Sequence, residues 1–211
     1  MYSGGAEDAR LCTEGRLLKK DHGEETFQGL ILREESVADK YFSHCTFRDC
    51  IIEDCELLDC RFFECRFERC RISGTQLRNV QCVSADFERC SLSGIQWAAL
   101  QPPRMRFALP FRRLSGGQLR YNTFMDIRLD RFYFSDCSIV GSMFSQCSLV
   151  EADFRRCSLE ETEFFRCDLS KADMREATGY QVDIMTCRLK DARFSFPEVM
   201  GLLNGLGIKV D

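Results

Sequence analysis

The chain has 211 residues, with 29 lysines and arginines against 33 aspartates and glutamates, for a net charge of −4, and its isoelectric point is near 5.4. That length supports one domain. No long basic tract marks a nucleic-acid groove, no run of some eighteen apolar residues marks a membrane span, and the polar N-terminus does not read as a signal peptide.

Residues 1–26 are polar and carry no repeat, which predicts an N-terminal arm or cap. A first repeat stretch follows over residues 27–99. Phe27, Leu32 and Val37 keep a spacing of five without small partners, as an irregular first coil would. From Phe42 the pattern runs Phe42, Phe47, Ile52, Leu57, Phe62, Phe67, Ile72 and Leu77, and from Phe47 on a small residue, usually cysteine, stands two positions earlier. A period of five matches neither a helix face nor a strand. It predicts a solenoid in which four sides close a square coil of about twenty residues, stacked at roughly the 4.8 Å spacing of paired strands.

Twelve of the fourteen cysteines (Cys45, Cys50, Cys55, Cys60, Cys65, Cys70, Cys90, Cys137, Cys147, Cys157, Cys167 and Cys187) hold the small inward position. There cysteine acts as a small hydrophobe. No CxxC pair occurs, and stacked pairs such as Cys50 and Cys70 run parallel, a poor disulfide geometry. Reduced packing thiols imply the cytoplasm. Cys12 and Cys82 fall off the pattern.

Residues 100–118 interrupt the repeat. Trp97 and Leu119 are 22 positions apart, one coil plus two residues. The expectation is a distorted coil, a bulge or short loop, with Pro102, Pro103 and Pro110 unable to donate ladder hydrogen bonds and Gly116-Gly117 as a turn. Its arginines, Arg104, Arg106, Arg112 and Arg113, form either a solvated loop or a partner contact. The repeat resumes over residues 119–194, with ladders Phe124–Phe144–Phe164, Phe134–Phe154–Met174–Phe194 and Leu129–Leu149–Leu169–Leu189.

The tail, residues 195–211, changes character. Ser195 reads as a helix N-cap with Glu198 completing a capping box. Val199, Leu202, Leu203 and Leu206 follow at helical spacing, Gly207 is a plausible C-cap, and Ile208–Val210 reads as a short strand. Such a helix covers the last coil, pairs with another copy, or does both. Phe196, Val199, Met200, Leu203 and Leu206 are the candidate dimer interface.

Outward charges also stack at twenty. Arg131–Glu151–Lys171–Asp191, Asp136–Arg156–Glu176, Arg48–Glu68 and Asp49–Arg69 alternate in sign, which supports register. Asp153 over Asp173 and Glu163 over Asp183 are like-charge stacks, and Asp168 has Arg188 above it. These five acids either bond turn amides or form an acidic wall that meets a partner.

The Cys-x-Phe/Leu-x-x pattern over about residues 42–194 resembles the pentapeptide-repeat family. That resemblance implies an all-β solenoid, a right-handed quadrilateral β-helix, here with a central break and a C-terminal helix. Tyr180–Asp183, and Ala192-Arg193-Phe194-Ser195-Phe196-Pro197-Glu198 followed by Leu202-Leu203-Asn204, resemble most the end of the albicidin-resistance protein AlbG. AlbG belongs to the topoisomerase-protecting group with Qnr, MfpA and McbG. The resemblance implies a rod-like homodimer that binds DNA gyrase, with topoisomerase IV as a second candidate. It implies protection from inhibitors partly by DNA mimicry, with no nucleic acid or membrane bound. A generic protein-interaction scaffold or secreted effector is the alternative. His22 and His44 are the only histidines; no nucleophile–base pair, metal cluster or cofactor motif can be assembled, so no enzyme is expected.

Overall fold

A computed structural model describes residues 17–101, 109–134 and 136–206. Three-residue strands follow one another every five residues from Asp21–Gly23 onward. They build four parallel sides. Face 1 starts with Asp21–Gly23, face 2 with Thr26–Gln28, face 3 with Ile31–Arg33 and face 4 with Ser36–Ala38. Each strand pairs with the strand one coil later, so Asp21 meets Tyr41, Thr26 meets Thr46, Ile31 meets Ile51 and Ser36 meets Glu56. The result is an all-β quadrilateral solenoid.

The middle residue of each strand points inward and its neighbours outward, the two-residue alternation of extended chain. Backbone hydrogen bonds join coils: the Glu24 amide donates to the Ser43 carbonyl at 2.8 Å, and the Tyr41 amide to the Lys20 carbonyl at 2.9 Å. The corners demand a left-handed residue. Non-glycine residues hold it from Glu24 (φ 54°) to Asp191 (φ 59°), at roughly 1–2 kcal/mol each. The inter-coil hydrogen bonds and the core offset that cost.

Inside, aromatic rings stack along columns and meet edge-on across faces. Phe144 lies parallel to Phe124 at 4.6 Å and to Phe164 at 5.0 Å, and edge-on to Phe134 and Phe154. The cysteines fill the flanking columns as free thiols, all buried except half-buried Cys187 among those described. Most of these thiols reach a carbonyl of the preceding coil: Cys50 Sγ donates to Phe27 O at 3.2 Å and Cys90 Sγ to Phe67 O at 3.3 Å, while Cys55 Sγ donates to Glu53 O of its own coil. Thr162 makes the equivalent bond to Ile139 O at 2.8 Å. Cys82 replaces an aromatic ring in the face 1 column, directly on Phe62. Cys12 lies outside the described residues.

Three expectations need correction. Regular coil begins at Asp21, inside the expected arm of residues 1–26: His22 is a central residue, 1% exposed and stacked on Phe42 at 5.1 Å. Second, the break adds seven residues, not two. Leu92 pairs with Leu119, and Trp97 stacks on Phe124, both at an offset of 27. A period of five cannot tell two extra residues from seven. Gln81 still pairs with Gln101 at the regular offset, while the Ser84 amide reaches Leu109 O. Six extra residues therefore enter between Gln101 and Leu109. The seventh is Arg112, bulged between Phe111 and Arg113. Phe111 and Phe132 fill the break from within. The aromatic ladders occupy faces 1 and 2 before it and faces 2 and 4 after it.

Third, the tail winds as a 3-10 helix, Glu198–Leu206, and Ser195 does not cap it with its side chain. Ser195 Oγ instead accepts the Glu176 amide at 3.1 Å, fastening the tail to the coil before it. Ser195 O accepts the Val199 amide at 3.1 Å. Gly207 and Ile208–Val210 lie outside the described residues.

Phe144→Ala removes a fully buried ring from the middle of a column, and should cost about 3–5 kcal/mol in a urea titration. Burial also pushes the Cys65, Cys82 and Cys157 thiols up from about 9.0 to about 12. The unfolded chain ionises them near pH 9 and the folded chain does not. Their stabilising contribution is therefore intact below pH 9 and lost as pH rises toward 12. The urea midpoint should fall between pH 9 and pH 11, and Cys82→Ala should flatten that fall.

Candidate interaction surfaces

Faces 1 and 2 after the break carry most of the expected site residues, and they satisfy their own charge. Asp153 and Asp173 do stack, but arginines clamp them. Arg155 Nη2 lies 2.7 Å from Asp153, which is only 12% exposed, and Arg155 Nε lies 3.9 Å from Asp173. Arg175 holds Asp173 at 2.6 Å, and this bond keeps the Asp173 carboxyl below the usual carboxylate range. Both acids also accept the amide two residues on, Arg155 N and Arg175 N. The turn-bonding reading and the charge are thus both realised, with the charge neutralised where it sits.

Asp168 accepts the Ser170 amide at 3.0 Å and lies 3.8 Å from Arg188. Asp183 accepts the Met185 amide and the Thr186 hydroxyl at 3.0 and 2.8 Å. The expected Glu163–Asp183 stack does not form. The strand Thr178–Val182 slips by two residues along its neighbour, so Glu163 pairs with Gln181. Gly179 takes a left-handed φ of +73° in that strand, against the Glu160 carboxylate.

The corner ladders form in part, with no ion pair among the described residues between Lys171 and Asp191 or between Arg156 and Glu176. Glu151 is held by Arg131 at 2.9 Å and Lys171 at 3.3 Å, Asp136 by Arg156 at 2.7 Å, and Arg69 meets Asp49 at 2.7 Å. At the break, Arg112 bonds Asp86 through both Nε and Nη2, and Arg113 lies 3.9 Å from Glu88. Those two arginines are therefore structural partners of face 2. Arg104 and Arg106 lie outside the described residues.

Unmatched charge sits elsewhere. Residues 21–99 carry fifteen carboxylates against nine arginines and lysines, while residues 109–195 carry thirteen of each. Along the two corners that border face 4, Glu34 precedes Asp54 and Asp39 precedes Asp59 by one coil. None of the four has an ion-pair partner among the described residues; Asp59 accepts the Asn79 side-chain amide. The sequence reading did not single out these two acidic rows.

At the C-terminal end, Phe196 is 80% and Leu206 45% exposed, while Val199, Met200 and Leu203 are half-buried. Tyr180 packs on Phe194, and burial pushes its hydroxyl up to about 12. His44 is an exposed wall residue 3.3 Å from Glu64. Among the described residues no cluster of metal-ligand type occurs, and no helix is long and apolar enough to cross a membrane.

A parallel β-solenoid with one inward apolar residue in five defines a small class of proteins. The family model described as Pentapeptide repeats matches in eight copies across residues 41–79, 55–94 and 144–178. Over residues 41–94 and 144–178 the chain is similar to the pentapeptide-repeat family. No curated protein sequence matches it. Among solved structures, a trypsin-treated QnrB1, described as a plasmid-mediated fluoroquinolone resistance protein, superposes with a TM-score of 0.50 at 16% identity, covering 90% of this chain and 98% of that one. Full-length QnrB1 gives 0.39 at 18% identity, covering 87% and 100%. HetL, from the cyanobacterium Nostoc sp. strain PCC 7120 and involved in heterocyst differentiation regulation, gives 0.36 at 18% identity, covering 87% and 92%. At these identities the likeness is one of fold.

Removing Arg155 tests the clamp. Arg155→Met should lower the urea midpoint, by less than loss of a fully buried pair would because the arginine is half exposed. Adding Asp153→Asn to that variant should recover part of the loss, whereas Asp153→Asn alone should destabilise. Equal denaturation midpoints for all three proteins would remove the clamp from the account.

Proposed function

We propose that this protein is a non-enzymatic binder of DNA gyrase, with topoisomerase IV as a second target, and that it protects the enzyme from inhibitors. The observation that carries the reading is the pair of acidic rows Glu34–Asp54 and Asp39–Asp59. They are two parallel rows of carboxylates without ion pairs along the β-solenoid, a coarse likeness of the two strands of a duplex. The AlbG-like tail supports it, as does a fold shared with a fluoroquinolone resistance protein. Mimicry is thereby assigned to the first half of the rod rather than to Asp153 and Asp173. The free thiols suit a reducing cytoplasm.

The test is a supercoiling assay with gyrase and a fluoroquinolone, with and without the protein. Protection should appear with the intact chain and weaken as salt rises, because it competes as a polyanion. Glu34→Gln, Asp39→Asn, Asp54→Asn and Asp59→Asn together should lower gyrase affinity at least about tenfold, a loss of about 1.4 kcal/mol. Full protection by that quadruple variant would end the mimicry reading; no protection by the intact chain would end the gyrase reading.

The exposed C-terminal end fits a second copy of the chain, so the functional form is proposed to be a homodimer through Phe196, Val199, Met200, Leu203 and Leu206. Light scattering should give twice the chain mass, and Phe196→Glu with Leu206→Glu should give monomers. A monomeric intact chain at micromolar concentration would refute it.

A further inference from the structure

Face 4 changes character beyond the break. Its outward residues there include Met125, Met143 and Phe165, exposed by 44, 40 and 37%. Tyr121, at the corner with face 3, is 64% exposed. The register gathers them. Met143 lies between Thr123 and Glu163, and buried Ser145 lies between Met125 and Phe165. Tyr121 rests on Gly141, where a Cβ would come within 2.7 Å of the ring. The glycine thus lets the ring lie along the corner. Arg166 sits 4.8 Å from the centre of the Phe165 ring and backs it.

This strip is unlike the rest of the second half. Among the described residues, the ion pairs across 109–206 lie on faces 1 and 2 and the corners that follow them. The strip is instead bordered by Asp126, Glu161 and Glu163, and by Arg166 on the Phe165 ring; none of the four has an ion-pair partner among the described residues, so the margin is net negative. Apolar surface with a net excess of spare negative charge at its margins has the pattern of an interface.

We propose that this strip docks a basic amphipathic helix of a partner protein. The helix's apolar ridge would lie on Met125, Met143 and Phe165, and its lysines or arginines would meet Asp126, Glu161 and Glu163. The dimensions agree. A three-residue strand spans about 10 Å and three coils about 10–15 Å, while a helix is about 10 Å across, so one helix of two to three turns fits along the face. Methionine suits such a seat because its unbranched side chain adapts to the ridge it meets. A second copy of the strip would set carboxylates against carboxylates, and duplex nucleic acid would meet the same repulsion. The assignment does not require the partner to be gyrase.

The test uses the full chain labelled with 13C at the methionine methyls. The probe is a synthetic helical peptide of about 18 residues with leucines at i, i+4 and i+7 flanked by lysines. The expected result is a saturable shift of the Met125 and Met143 signals, with the Met174 signal unmoved because that side chain is in the core. A peptide with glutamate in place of lysine should bind at least about fivefold more weakly, a gap of about 1 kcal/mol. Glu161→Gln with Glu163→Gln should show a similar loss, and Met143→Ser should weaken binding further. An unchanged Met174 signal confirms that each variant is folded. The proposal fails if the lysine peptide shifts neither methionine, or if a scrambled peptide of the same composition shifts them equally. It also fails if the shifts are confined to Met185 and Met200, or if dilution of the chain alone or a duplex DNA moves Met125 and Met143 as strongly as the peptide.

Discussion

Each inward side chain of this solenoid rests on the one a coil earlier, and the backbone hydrogen bonds between coils run in the same direction. No residue packs independently of its column. Phe144 needs Phe124 and Phe164 at 4.6 and 5.0 Å, and Cys50 needs the Phe27 carbonyl one coil back and three residues round. A column tolerates a change of side chain but not a change of phase. That is why the extra seven residues at the break divide into six between Gln101 and Leu109 and one at the Arg112 bulge. The stack then resumes with Leu119 on Leu92. The change of aromatic face happens at the same place, where Trp97 opens a ring column on face 4 and Phe111 and Phe132 fill the space between.

The same stacking rules the outside. Outward side chains one coil apart are near neighbours, so like charges repel unless something intervenes. The chain answers in two ways on faces 1 and 2. Corner columns alternate in sign, as in Arg131–Glu151–Lys171, and strand columns carry their own arginine two residues on, as in Asp153–Arg155 and Asp173–Arg175. Charge consumed this way holds register and is no longer free to recruit a partner. Face 4 follows neither rule. Its first half is bordered by acidic rows without ion pairs, and its second half is apolar with three such acids and Arg166 at the margin.

The period of five made the fold legible, because one inward residue in five stays apolar through nearly the whole chain. The sequence defines phase only modulo five, and that limit explains the errors. Leu119 fits twenty-two positions after Trp97 as well as Phe124 fits twenty-seven, so the coil length at the break was invisible. Glu163 seemed to lie under Asp183 because the two-residue slip at Thr178–Val182 leaves no mark on the repeat. The clamps had a signal that went unread: Asp-Phe-Arg at 153–155 and Asp-Met-Arg at 173–175 repeat the same spacing a coil apart. The face 4 strip had none of that kind. Met125, Met143 and Phe165 come together only once each is given both a face and a side of its strand.

Rigidity gives the two halves of face 4 a common meaning. The inward column beneath them runs from Leu57 and Leu77 through Trp97 to Phe124 and Phe144. At the break the face 4 strand is replaced by the 3-10 turn Trp97–Ala99, yet Gln96 still bridges to Thr123. The acidic rows and the apolar strip are therefore held at a fixed separation on one side of a rod whose columns resist sliding. A flexible chain carrying the same two patches would lose entropy in aligning them on each encounter. Here that alignment is made once, during folding. On the two proposals above, recognition depends on the distance between the patches as well as on their chemistry, and the ion pairs of faces 1 and 2 contribute by holding the register of the coils.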